Sequence, residues 1–354
     1  MSNWERNVRQ CVPYTPGEQP QEQNIIKLNT NENPYPPAPA VQEALRSLSP
    51  DALRKYPDPA AGKLVKALAE RYQVNPAQVF VGVGSDDVLA MAFQTFFNSE
   101  KPVLFPDITY SFYDVWADAF RIPYQKIPLT DTFEICADDY QIPNGGIIFP
   151  NPNAPTGIAM TPDVIEGILQ ANPDVVVIVD EAYVDFGAET VLPLVEKYEN
   201  LLVVQTYSKS RSMAGARIGF AVGSEKLISY LQAFKYSFNS YTMSDAAIAL
   251  GTAALADEAY FQETCRKIVD TREAAKKRFT ELGFTFGDSR ANFIFVTHGH
   301  VPAKKIFASL RERHIYVRYF DKPRIDNYLR ITIGTPEEME ALYTALEEIL
   351  QDEA

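Results

Sequence analysis

Short apolar runs alternate with longer amphipathic stretches through the first two thirds of the chain. Residues 79–83, 103–105, 124–127, 147–149, 175–179, 201–204 and 218–222 are β-branched or apolar for most of their length, which predicts strands buried on both faces. Between them, Leu64, Val65, Leu68 and Ala69 recur at helical spacing over 62–72, and further helices are predicted over 39–48 and 88–97. Apolar strands alternating with helices give an α/β fold: a mostly parallel sheet sandwiched by helices. Ligands of such sheets bind beyond the carboxyl ends of the strands. Polar clusters stand at four of these ends: Gly84-Ser85-Asp86, residues 151–157, Asp180-Glu-Ala-Tyr183, and Thr206-Tyr-Ser208-Lys209.

After residue 257 the texture changes. A long helical pattern over 258–282 is followed by a strand (292–296), a helix (303–313), two short strands (315–318 and 329–333) and a terminal helix from about Pro336. This pattern predicts a smaller α+β domain. The first forty residues are rich in Pro, Asn and Gln and lack periodicity, so they predict an irregular arm. The expected organisation is an arm (1–38) packed on the site and the small domain, a large domain (39–257) and a small domain (258–354).

Composition narrows the function. A net charge of −13 lacks the basic footprint that nucleic acid or an anionic membrane requires. No apolar run is long enough to span a bilayer, and Met-Ser-Asn-Trp-Glu-Arg has no signal-peptide core, so a soluble cytoplasmic protein is expected. Cys11, Cys136 and Cys265 form neither a disulfide framework nor a metal pair. His298 and His300 lack nearby ligands, so no metal is expected.

The densest chemistry lies in residues 206–220, a polar loop carrying Lys209, Arg211 and Arg217 between two predicted strands. A lysine at the end of a core strand is suited to forming a Schiff base with a carbonyl. Asp180 ends another apolar run, where an acid is costly unless paired. A protonated pyridine nitrogen is a partner that suits it. Arg217, Ser208 and the helix start at Gly84-Ser85-Asp86 suit a phosphate, although that turn lacks both the dinucleotide and the Walker glycine patterns.

Together with Pro13-Tyr14-x-Pro-Gly17, residues 28–34, Tyr56-Pro-Asp-Pro, Asn151-Pro-x-x-Pro-Thr-Gly157, Ala214-Gly-x-Arg217-x-Gly-Phe220 and Leu329-Arg330-Ile-Thr-Ile-Gly334, these motifs cover nearly the whole chain. In that order the sequence resembles the fold-type I pyridoxal-phosphate aminotransferases, and within them the histidinol-phosphate aminotransferases.

The resemblance implies roles residue by residue. Lys209 would carry the pyridoxal 5'-phosphate, Asp180 would pair with its ring nitrogen, and Tyr183 would bond its 3-hydroxyl. Tyr110 would stack on the ring. Gly84, Ser85, Asp86, Thr206, Ser208 and Arg217 would hold the phosphate end, with Tyr56 lent by the neighbouring subunit of a homodimer. Tyr14, Asn31, Arg318 and Arg330 would bind substrate, a phosphorylated amine or a 2-oxo acid. The family has Asn immediately before Pro-Thr-Gly where this chain has Ala154, so the neighbouring Asn153 is the candidate for that support of the 3-hydroxyl. Two related activities stay open here, an aromatic amino-acid aminotransferase and a pyridoxal-phosphate decarboxylase of a phosphorylated amino acid. A non-catalytic nucleotide-binding protein is disfavoured by the missing glycine fingerprint.

Overall fold

A computed structural model describes residues 4–352. The first three residues of the expected arm and the last two of the expected small domain lie outside the described residues. Seven strands form the large sheet, in the order Val79–Gly82, Gly219–Gly223, Leu201–Thr206, Val177–Asp180, Gly146–Pro150, Val103–Pro106 and Tyr124–Ile127. Six of them run in the same direction, and Gly219–Gly223 is antiparallel to both of its neighbours. Every residue of the four central strands from Gly219–Gly223 to Gly146–Pro150 is buried, which explains the absence of polar alternation in their sequences. Separate apolar clusters fill the two faces: Leu64, Leu68, Phe149, Val179 and Val203 on one, Phe80, Phe93, Phe105, Ile178 and Leu202 on the other.

A second, four-stranded antiparallel sheet is built from Arg318–Tyr319, Leu329–Thr332, Phe293–His298 and Phe284–Phe286. Helices Glu258–Glu281, Ala303–Glu312 and Pro336–Asp352 contribute to its core through Ile268, Phe279, Ile306, Leu342 and Leu346. The change in texture after residue 257 coincides with the start of Glu258–Glu281.

Two boundaries differ from the sequence reading. The helix expected from residue 88 begins at Ser85, so the polar turn is the helix terminus itself. The strand expected over 315–318 is interrupted at Val317. Ile315–Tyr316 pairs in parallel with Ile26–Lys27 of the arm, whereas Arg318–Tyr319 joins the antiparallel sheet. The arm is therefore irregular for most of its length but anchored by one short ladder. Among the described residues no helix is long and apolar enough to cross a membrane.

Candidate functional site

The carboxyl ends of three adjacent strands deliver Pro150, Asp180 and Thr206 to the wall of one cavity of about 220 Å³. Lys209 also lines it, three residues past the end of its strand. Its Nζ donates to the Thr30 carbonyl of the arm at 3.0 Å and lies 5.8 Å above the Tyr183 ring. Asn33, also in the arm, donates from Nδ2 to the carbonyls of Lys209 and Ser210, at 3.2 Å each. The lysine loop is thus held in place by a segment about 180 residues away in sequence.

Asp180 is only 4 % exposed. Its Oδ2 accepts the Tyr113 hydroxyl at 3.0 Å and its Oδ1 the Ala182 N–H at 3.2 Å. Burial pushes its carboxyl up to about 6, against these two hydrogen bonds and the Lys209 charge, which favour the anion. Among the described residues no cationic side chain forms an ion pair with it.

The opposite end of the cavity is a set of donors. Ser85 opens helix Ser85–Phe96, whose first N–H groups lack helical acceptors. Gly219 packs so closely against this terminus that a Cβ there would lie 2.2 Å from Ser85 N, and one on Gly84 would lie 2.6 Å from Arg217 Nη2. Thr206 Oγ1 donates to Ser208 Oγ at 3.0 Å and accepts from Ser208 N at 3.1 Å. Arg217 pairs with Asp86 at 3.3 Å, and Asp86 also accepts the Tyr110 hydroxyl at 2.7 Å. Asp86 thereby fixes both an arginine and an aromatic ring that borders the cavity.

A second cavity, of about 170 Å³, shares Thr30, Tyr110, Ala154, Tyr183 and Lys209 with the first. Its far wall holds Tyr14, Asn31, Arg318 and Arg330. Arg330 donates from Nη2 to the Asn29 carbonyl at 3.0 Å and lies 5.3 Å from the Phe293 ring centre, while its buried Nε has no partner. Burial lowers its guanidinium below the ordinary arginine value. Among the described residues no carboxylate forms an ion pair with it, which leaves it poised for an anion from solution. Arg318 binds the Thr15 and Pro16 carbonyls at 3.4 Å, and Tyr14 stacks on Phe112 with ring centres 4.2 Å apart. Asn31 donates to the Tyr183 hydroxyl at 2.9 Å and accepts from Thr332 at 3.0 Å, so it orients Tyr183 between the two cavities.

Three expected residues line neither cavity: Asn153, Tyr56 and Gly84, which stands just behind Ser85. The Asn153 side chain ties its loop to the segment after strand Val103–Pro106, donating to Ile108 O at 3.0 Å and accepting from Thr109 at 2.9 Å, and within the loop it donates to Thr156 Oγ1 at 3.2 Å. Ala154 faces the cavities instead. Tyr56 is 81 % exposed, tilted against Tyr241, and lines neither cavity of this chain. Conversely, Tyr113, Thr30, Asn33 and Glu32 belong to the site but carry no individual signal in the sequence. Glu32 lines the first cavity and is paired with Lys27 and Thr30.

Comparisons with known proteins bear on the family and the fold. The family profile Aminotransferase class I and II matches residues 23–346. Histidinol-phosphate aminotransferase of Acinetobacter baumannii (strain SDF) is 52% identical over 351 residues, covering 98% of this chain and 97% of the relative. Histidinol-phosphate aminotransferase 1 of Hydrogenovibrio crunogenus is 54% identical over 348 residues, with 98% of each chain covered. Among solved structures, histidinol-phosphate aminotransferase from Sinorhizobium meliloti in complex with pyridoxal-5'-phosphate superposes with a TM-score of 0.85 at 26% identity, over 93% of this chain and 92% of that one.

Proposed function

The chain belongs to the class I and II aminotransferase family, and from that premise we propose that it interconverts L-histidinol phosphate plus 2-oxoglutarate with imidazole-acetol phosphate plus L-glutamate, using pyridoxal 5'-phosphate. The observation that carries the substrate reading is Arg330, a half-buried arginine at the cavity wall whose buried Nε is unpartnered, beside Arg318. A phosphate on one substrate and a carboxylate on the other each offer two anionic oxygens that such a pair can bind.

The residues suit the cofactor along its whole length. The close backbone approach of Gly219 to Ser85 leaves a cradle that a single Cβ would fill, and Ser85, Thr206, Ser208 and Arg217 supply donors for a phosphate. Asp180, a buried acid without an ion-pair partner, suits a ring N–H, and Tyr183 with Asn31 behind it suits a ring hydroxyl. When bound, the cofactor supplies an electron sink for the carbon that bears the amino group. Lys209 Nζ suits holding its carbonyl group and, once released, taking a proton from the substrate carbon and returning it. Tyr110 lines both cavities and Tyr14 the second, where they add apolar ring surface beside the reacting groups. A side chain at Gly219 would block the cradle: Gly219→Ala is expected to weaken pyridoxal-phosphate binding at least about tenfold by absorbance titration, since backbone atoms 2.2 and 2.3 Å from the new Cβ have no rotamer to yield.

The active unit we infer is a homodimer in which Tyr56 reaches the neighbouring site. Its exposure, together with Leu53, Phe238 and Tyr241 among the exposed large hydrophobics, supports a covered face. Residues 1–38, 39–257 and 258–354 are read as arm, large domain and small domain.

Donor profiling with 2-oxoglutarate as acceptor tests the proposal. Histidinol phosphate is expected to give the highest kcat/KM, and Arg330→Ala to lower that value by about 10² or more, the worth of a charged bidentate contact. A preference for phenylalanine or tyrosine would assign the chain to the aromatic class. Carbon dioxide release without need of a 2-oxo acid would assign it to the decarboxylases.

A further inference from the structure

Tyr113 is fully buried at the first turn of helix Tyr113–Phe120, with its ring edge-on to Phe105 and Tyr110. Its hydroxyl donates to Asp180 Oδ2 at 3.0 Å, while Tyr110, three residues earlier, donates to Asp86 at 2.7 Å. One short segment therefore sends a phenol to each of two acids that line the same cavity. The two Asp180 oxygens are held by donors from different elements, Tyr113 from the helix and Ala182 N–H from its own strand end. Together they fix the plane of the carboxylate and leave its remaining lone pairs for one more donor.

We propose that Tyr113 is a positioning residue for amino-group transfer: its hydroxyl aims the Asp180 carboxylate into the cavity and keeps it an anion for a cationic ring nitrogen. This rests on the functional reading above. Burial works in the opposite direction, raising the Asp180 carboxyl, and Asp86 adds to that rise while Lys209 opposes it. Tyr110 and Tyr183 also face the Tyr113 hydroxyl, which burial pushes well above the usual phenol range. The phenol thus stays protonated, a permanent donor to the acid.

Tyr113→Phe removes one oxygen and keeps the ring packing, so the variant is expected to fold. The decisive readout is the pH dependence of the pyridoxal-phosphate dissociation constant of the apo protein, followed by absorbance. A hydrogen bond to a charged group is worth one to two pH units in the acid it stabilises, roughly. The variant is therefore expected to lose cofactor affinity on acidification about one to two units higher than the parent. At neutral pH it should bind about tenfold more weakly, with kcat lowered and KM for the amine donor little changed. 3-Fluorotyrosine at position 113, a stronger donor, is expected to shift the same limb downward. An unmoved acid limb in both variants overturns the proposal, whatever happens to the melting temperature. If the parent protein itself neither binds pyridoxal phosphate nor transaminates, the functional reading fails instead, so the two failures are told apart.

Discussion

Replacing Lys209 by alanine leaves a folded protein whose transamination falls by at least about 10³-fold. The loss combines the two roles proposed for it: holding the cofactor carbonyl and moving the proton on the substrate carbon. Among the residues lining the first cavity Lys209 is the single lysine, and its loop is clamped through its backbone by Asn33 of the arm, not only through the Nζ contact with Thr30. Truncation therefore removes one hydrogen bond, worth about 1 kcal/mol, and stability should barely change. Borohydride treatment followed by peptide mapping is expected to fix the cofactor mass on Lys209 in the parent and on no residue in the variant. Near-parental transamination by Lys209→Ala would refute the assignment.

Much of this site was legible because buried strands advertise their ends. Asp180 and Thr206 terminate runs with no other polar side chain except Gln205, so their emergence at the carboxyl edge follows from the pattern alone. Lys209 and Arg217 follow in the same loop. The family resemblance then ordered Tyr14, Asn31, Arg318 and Arg330, which the fold brings to one wall.

What pattern could not give is the direction of a side chain within an irregular loop. Asn153 and Ala154 are adjacent, and three hydrogen bonds of the Asn153 side chain, two to the distant Ile108–Thr109 segment and one to Thr156, decide that the alanine faces the cavity. Tyr113 is one of nineteen tyrosines, and only the packing of its helix against the strand end selects it. The contacts of Asn31 with Tyr183 and of Thr30 with Lys209 span more than 150 residues, a range over which local spacing carries no information. The break at Val317 was hidden for a related reason: the two halves of one apolar run pair with different sheets.

Asp180→Asn is expected to abolish most activity while making the cofactor-free protein more stable. The Asp180 carboxyl titrates at about 6 in the folded chain against 3.8 for the ordinary value, raised chiefly by burial. An acid with a raised folded value favours folding when protonated. That contribution is complete below about pH 4 and is lost as pH rises through about 6, so at pH 8 the fold carries a buried anion at a cost of about 3 kcal/mol. Asparagine is neutral throughout. It can still accept from Tyr113, but it must give up either that bond or the one from Ala182 N–H, a loss of about 1 kcal/mol. The net gain at pH 8 is then about 2 kcal/mol; it should shrink on acidification, cross zero between about pH 4 and 5, and become a loss of about 1 kcal/mol at lower pH. Neighbouring Glu181, also buried and pushed up to about 7, is common to both proteins and cancels. Thermal unfolding of both apo proteins across that pH range is the measurement. Saturating pyridoxal phosphate should reverse the order, because ligand binding adds stability in proportion to affinity and only the aspartate offers an anion to the ring nitrogen. An apo variant less stable than the parent at pH 8, or a gain independent of pH, would mean that burial does not raise Asp180. The opposite outcome identifies the acid as a strained group, kept at the strand end for the partner it receives when the cofactor binds.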